Sequence, residues 1–339
     1  MRTSSIQQSP PSGDTGAPLL AVENMSVRFA TRRGTLTAID DISFSIAAGE
    51  ILGVVGESGA GKSLTGSAIV GLLDPPGRVT DGRITLAGRR IDNLPPEAMR
   101  HVRGREIGTI FQDPLTSLNP LMTVGKQLSE TIGVHMGLGQ AAARERAIDL
   151  LRDVGIPAPE RRVDSFPHAF SGGMRQRVVI ALALCADPKL IIADEPTTAL
   201  DVSIQAQVIN LLKGLVRQRG VGVMLVTHDM GVIAEIADRV AVMYAGRIVE
   251  IGPVRDVLKA PKHPYTRGLM GAIPRIGHSE RLVQIDGAMP RLTAIPRGCA
   301  FNPRCTRVIE ACRVKRPDLV PVERSMAACL LYDPGVGTP

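Results

Sequence analysis

Ile51-Leu52-Gly53-Val54-Val55-Gly56-Glu57-Ser58-Gly59-Ala60-Gly61-Lys62-Ser63-Leu64 is the stretch that decides the fold. Its first five residues are an apolar run of buried-strand length. From Gly56 to Ser63 it fits G-x-x-x-x-G-K-[ST], and residues 64–73 then read as a helix. Glycines let such a loop turn tightly enough for successive backbone N–H groups to face phosphate oxygens, and the helix start adds the positive end of its dipole. In that geometry Lys62 reaches the β- and γ-phosphates and the Ser63 hydroxyl binds Mg²⁺. Four specified positions recur by chance in roughly one chain of this length per hundred. The strand before and the helix after separate a phosphate site from an accidental glycine-rich turn.

Outward from the loop, strand-like runs at residues 19–29 and 38–46 precede it. Short strands are expected at 83–86, 107–111, 190–193, 222–227 and 240–244. Residues 121–186 are mostly helical in pattern; in 141–154, Ala147, Ile148, Leu151 and Val154 fall on one face. Strands alternating with helices imply an α/β fold with a largely parallel, covered sheet. Beyond about Pro253 the alternation stops and Pro, Gly, Arg and Cys become frequent, which marks a boundary. The expected organisation is a disordered tail at 1–18, one domain at 19–252 and an extension at 253–339.

Composition narrows the function classes. Hydrophobic content of 44% with 22% charged residues suits a globular chain. No run approaches the roughly 18–20 apolar residues of a membrane span, and the first 18 residues lack the apolar centre of a signal peptide. The chain is therefore expected in the cytoplasm, meeting a membrane only through a partner. The formal charge of +7 leaves nucleic acid, anionic membrane and phosphorylated ligands open. Aromatics at 3% argue against a stacking platform for single strands.

A second chemical cluster is Leu190-Ile191-Ile192-Ala193-Asp194-Glu195, an apolar strand ending in two carboxylates. Sheets of this class place ligands at the carboxyl ends of their strands. Asp194 can hold Mg²⁺ there, and Glu195 can polarise an attacking water as general base. Phe170-Ser171-Gly172-Gly173-Met174 opens the long helix 175–186; Ser and two glycines at a helix start make a second phosphate cradle or an ordinary N-cap.

The order of these pieces resembles that of ABC ATPases, over residues 19 to about 252. The resemblance implies that Ser171, Gly172 and Gly173 contact the γ-phosphate held by a partner subunit. It further implies that Gln112 is the Q-loop residue, sensing Mg²⁺ and the membrane subunit. Ala199-Leu200-Asp201 matches the D-loop, and His228 the switch histidine that contacts the γ-phosphate. Phe29 is the candidate for stacking on adenine, with a core role as the alternative. An antiparallel N-terminal β subdomain and a helical subdomain at about 113–180 belong to the same pattern. Two departures stand out: Phe170 and Met174 make the signature FSGGM rather than LSGGQ, and Leu64 replaces a second hydroxyl after the loop.

The phrases FQDPLTSLNP (111–120), FPHAFSGGMRQRV (166–178), HPYT (263–266) and GCAFNPRC (298–305) resemble the ATPases of oligopeptide and dipeptide permeases. That resemblance implies an ATPase at the cytoplasmic face of the cell membrane that powers peptide import. Its expected partners are two transmembrane permease subunits, a second and different ABC ATPase, and indirectly an external substrate-binding protein. Nickel or other small-solute importers of the same subfamily are the alternative cargo class. A soluble nucleic-acid ABC ATPase is the rival from another class. Repair ATPases insert a coiled coil between phosphate loop and signature, whereas about 107 residues without sustained heptads separate Ser63 from Ser171 here. No nucleic-acid partner is therefore expected.

Four of five cysteines, Cys299, Cys305, Cys312 and Cys329, crowd the last 41 residues. Cys₄ coordination serves Zn²⁺ or an iron–sulfur cluster; buried core thiols are the plain alternative. The gaps of five, six and sixteen residues lack the close pairs usual in zinc sites. Those gaps and the permease resemblance favour a structural [4Fe–4S] cluster as the expectation.

Overall fold

The computed structural model describes residues 17–32, 34–197, 200–272, 285–333 and 335. Most of the tail expected to be disordered, and Ala199 of the D-loop, lie outside these. Ile51–Val55 is buried along its whole length at the centre of an eight-stranded sheet. On one side it pairs in parallel with Gly222–Val226, which continues in parallel to Leu190–Asp194 and then Ile107–Ile110. On the other it pairs in parallel with Arg239–Tyr244, whose antiparallel neighbour is Arg247–Pro253. Strand alternation divides the core between the two faces. Ile51, Val55, Ile191 and Ala193 join one apolar cluster with the helices, while Leu52, Val54, Leu190 and Ile192 join the other.

That second cluster is closed by a four-stranded antiparallel sheet made by Leu20–Thr31, Gly34–Ile46, Gly77–Leu86 and the two-residue strand Arg89–Arg90. The first cluster is closed by helices, among them Val124–Met136, Gln140–Asp153 and Gly172–Leu184. Of the face read from residues 141–154, Ala147, Leu151 and Val154 are buried and Ile148 is partly so, and Ala143 and Leu150 are buried as well. The expected α/β architecture, with its antiparallel N-terminal sheet and helical layer, is thus present.

The chain beyond Pro253 is not a separate body. Ser325–Ala327 pairs antiparallel with the edge of Arg247–Pro253 and then with Val320–Val322, adding two short strands to the core sheet. Glu250, fully buried, accepts from the Lys262 and His263 backbone N–H groups at 2.8 and 2.9 Å. His263 in turn caps the helix Pro264–Gly271, its ring accepting from the Tyr265 N–H. Burial holds His263 down at about 3, so it serves here as a neutral acceptor.

The cysteines correct the expectation of a metal centre. Among the described residues no group of three or more His, Cys, Asp or Glu side chains is placed to hold a metal ion, which removes both the [4Fe–4S] cluster and zinc. Cys299, Cys305, Cys312 and Cys329 are free thiols. Burial pushes Cys299 up to about 12 and raises Cys305 and Cys329 as well. Cys299 and Cys305 pack against the helix-side core, and Cys312 and Cys329 are buried. Clustering in sequence suggests ligation, but small apolar thiols filling a compact core meet the same count. Cys185 is likewise a buried thiol, raised to about 12.

Candidate nucleotide-hydrolysis site

The loop 56–61 leaves the buried strand and feeds the helix Lys62–Ile69. Gly56 and Gly61 have φ of +152° and +105°, a region that disfavours side chains. A Cβ on Gly56 would run into the Met243 carbonyl oxygen, and one on Gly61 would lie 2.6 Å from Ile39 Cδ1. Ser58 and Gly59 are exposed at the loop tip, Ala60 is buried beneath it, and Leu64 packs partly into the sheet-side core. Lys62 is nearly buried, and its Nζ donates to the Gly56 and Glu57 carbonyls at 2.9 and 3.1 Å. Desolvation lowers its pKa, while the charges of Glu195, Asp194 and Glu57 work in the opposite direction.

At the end of Leu190–Asp194 the two carboxylates diverge. Asp194 Oδ1 accepts from the Ser63 hydroxyl at 2.9 Å, joining residues 131 positions apart. Its pKa is raised by burial and by the charge of Glu195, against the pull of the Ser63 hydrogen bond and of Lys62. Glu195 has φ +46°, a backbone state uncommon for a side-chain-bearing residue and often found at functional sites. Its N–H donates to the Val226 carbonyl at 2.8 Å, which ties the turn to the neighbouring strand. Its carboxylate stands between Gln112, whose Nε2 donates to Oε2 at 2.9 Å, and His228 Nδ1, 3.0 Å from Oε1. Lys62, Ser63, Gln112, Asp194, Glu195 and His228 thus come to one sheet edge.

The donor set there fits a magnesium nucleotide. The Ser63 hydroxyl and Asp194 carboxylate, 2.9 Å apart, and the amide oxygen that Gln112 carries are hard oxygen donors of the kind Mg²⁺ prefers, completed by phosphates and water. The raised proton affinity of Asp194 is what a cation beside it would offset.

The glycine-headed helix lies elsewhere. Ser171 is exposed and caps Gly172–Leu184, its hydroxyl accepting from the Met174 N–H. A Cβ on Gly172 would sit 3.7 Å from Leu200, and Gly173 is closed against the Ile204 side chain. Asp201 caps the next helix, Val202–Arg219, accepting from the Ile204 N–H at 2.9 Å. Signature and D-loop helix starts are therefore neighbours. Phe170 is buried and Met174 packs partly into the same core, so the two departures from the usual signature fall on packing positions and leave Ser171 exposed. Phe29 sits on the antiparallel sheet with its ring over Gly77, where a Cβ would lie 2.5 Å from the ring edge, and is partly buried in the sheet-side core.

Three residues escape the sequence reading. Asp229 caps the helix Met230–Ile236 and accepts from Gln205 Nε2 at 2.9 Å, linking the segment after His228 to the D-loop helix. Tyr265 and Arg304, both from beyond Pro253, reach Glu57 in the phosphate loop. The HPYT phrase contains Tyr265 but signals only family, not contact.

A phosphate loop whose hydroxyl meets a strand-end carboxylate, beside a second carboxylate gripped by glutamine and histidine, is the working edge of an ABC-type ATPase. Residues 39–198 match the family described as ABC transporter, and residues 249–312 match the oligopeptide/dipeptide transporter C-terminal region. The dipeptide transport ATP-binding protein DppD of Bacillus subtilis is 47% identical over 93% of this chain and 95% of its own length. The oligopeptide transport ATP-binding protein OppD of Salmonella typhimurium is 49% identical over 88% and 89%. Among solved structures, a post-hydrolysis cassette dimer bound to ADP and phosphate superposes with TM-score 0.62 at 27% identity, over 70% of this chain and 99% of that one. The chain belongs to the ATP-binding subunits of the oligopeptide/dipeptide ABC transporter family.

Lys62→Ala is expected to weaken ATP binding by about 10- to 100-fold, the equivalent of one or two charge-assisted hydrogen bonds. Titration of the purified chain with ATP checks this; unchanged affinity would remove Lys62 from the phosphate site.

Proposed function

We propose that this chain hydrolyses ATP to power an importer of oligopeptides or dipeptides. The carrying observation is the union, in one chain, of the Ser63–Asp194 and Gln112–Glu195–His228 arrangement with a C-terminal region of the oligopeptide/dipeptide transporter type. The phosphate loop and Lys62 bind the triphosphate, and Glu195 takes a proton from the attacking water. Gln112 and His228 orient that carboxylate. Mg²⁺, held by Ser63, Asp194 and Gln112, would neutralise phosphate charge. Ser171, Gly172, Gly173 and Asp201 serve the nucleotide of a second, different ATPase subunit, and closure of the pair drives the permease.

Among the described residues no helix is long and apolar enough to cross a membrane. Two transmembrane permease subunits would hold the chain at the cytoplasmic face, docking where Phe111, Leu115 and Leu121 leave apolar surface exposed around the Gln112 segment. Peptide would arrive from an external binding protein. Co-expression with peptide-permease transmembrane subunits and reconstitution into vesicles tests the reading. ATP-dependent uptake of labelled di- or oligopeptide, enhanced by the loaded binding protein, is expected. Uptake of nickel with no peptide uptake would overturn the cargo.

A further inference from the structure

Glu57 places a carboxylate inside a loop whose task is to hold a polyanion. It is the one acidic residue between Gly56 and Ser63, and only about a quarter of its side chain is exposed. Arg304 grips it from the C-terminal region with two parallel bonds, Nη1 to Oε2 at 2.9 Å and Nη2 to Oε1 at 3.1 Å. The Arg304 side chain is 7% exposed and is fixed on every side. Its Nε donates to the Asp286 carbonyl at 2.8 Å and Nη2 to the Ile285 carbonyl at 3.4 Å. The guanidinium lies 5.8 Å from the Tyr244 ring and 5.9 Å from that of Phe301. A bidentate, planar contact of this kind is specific to arginine.

Tyr265 makes the second link. Fully buried and in edge contact with Tyr244, it accepts the Glu57 backbone N–H at 2.8 Å. That N–H is therefore committed to the C-terminal region rather than to phosphate. The site is joined to the sheet as well, because the Gly246 N–H donates to the Ala60 carbonyl at 2.9 Å, two residues after Tyr244.

We infer that the C-terminal region is part of the nucleotide site, with Arg304 and Tyr265 as positioning residues that neutralise Glu57 and fix its peptide so that the loop accepts a triphosphate. The inference rests on the nucleotide-site reading of the loop. Without Arg304 the Glu57 carboxylate would stand unpaired beside the phosphates and repel them. With it, the loop keeps the positive potential of Lys62 and the helix start.

The test measures ATP affinity of the full-length chain together with its melting temperature. Arg304→Met is expected to weaken ATP binding about tenfold, with a larger loss at low salt, as for an unscreened like charge. Arg304→Lys should lose less. The double variant Arg304→Met/Glu57→Gln should recover to within about threefold of wild type, because the offending charge is gone. A folding role unconnected with Glu57 would not be rescued by deleting that carboxylate, and a purely stabilising pair would move the melting temperature without moving the ATP affinity of the folded chain. Should Arg304→Met fail to fold, Glu57→Gln alone decides: ATP binding tighter than wild type at low salt supports the inference, and unchanged or weaker binding overturns it. Unchanged affinity in Arg304→Met, or a loss that the double variant does not repair, overturns it too. Lys62→Ala is measured alongside. If that variant also binds ATP normally, the nucleotide-site reading fails; if it alone is impaired, only the role of Arg304 fails.

Discussion

Glu195→Gln is expected to cut ATP turnover in the assembled transporter by on the order of 10²–10⁴, about 3–5 kcal/mol of barrier. The amide keeps the shape of the side chain and can still bond Gln112 or His228, but it cannot take a proton from water. Nothing in the phosphate loop changes, so ATP affinity should be preserved and the closed, ATP-loaded pair should accumulate. Phosphate release and trapped nucleotide, measured on the same preparation, separate the two effects. Glu195 suits this role through geometry as well as chemistry. Its left-handed backbone turns the carboxylate away from that of Asp194, and both oxygens are already engaged. Full turnover in Glu195→Gln would assign the base elsewhere, or place all hydrolysis at the partner's site.

The parts of this site that are local in sequence are legible in the order of residues alone. A strand, a glycine loop and a helix start occupy fourteen consecutive letters, from Ile51 to Leu64. The acidic strand end is legible for the same reason. What motif order implies without demonstrating is convergence: Ser63 meets Asp194, and Gln112 and His228 meet Glu195, across 131, 83 and 33 positions. The C-terminal region is far less legible. Strands of three residues, such as Val320–Val322 and Ser325–Ala327, are too short to show a period of two. Their pairing onto Arg247–Pro253 therefore leaves no pattern, and the change of composition at Pro253 reads only as a boundary. The cysteine count misleads because it records residue type and not placement. What joins this region to the rest is instead a buried glutamate, a buried tyrosine and an arginine: Glu250, Tyr265 and Arg304. Each looks ordinary in sequence, and each gains its meaning from a partner about 12 to 250 positions away.

The second large effect is expected from Ser171, because on the proposed reading the chain holds two halves of two different sites. The phosphate loop helix, Lys62–Ile69, packs against Gly77–Leu86, Leu190–Asp194 and Gly222–Val226. The signature helix, Gly172–Leu184, packs instead against Ile107–Ile110, the helices Val124–Met136 and Gln140–Asp153, and Val202–Arg219. Ser171 is exposed at its start, with the cradle of Gly172 and Gly173 beside it, and its hydroxyl bonds within its own helix rather than to the phosphate loop. Such a helix start offers free N–H groups to an anion, and in the proposed pair the second subunit brings the phosphate to it. A dilute, demonstrably monomeric preparation should thus bind ATP but turn it over slowly, and its specific activity should rise when the second ATPase subunit is added. Ser171→Arg fills that cradle with a side chain while leaving Lys62 and Glu195 untouched. It should lower turnover in the assembled pair by about 10²–10³, as expected when a transition-state donor is lost, with ATP affinity of the isolated chain unchanged. Full activity from the monomer would mean that one chain contains everything the reaction needs, and full activity from a pair carrying Ser171→Arg would place hydrolysis at the site of this chain's own phosphate loop.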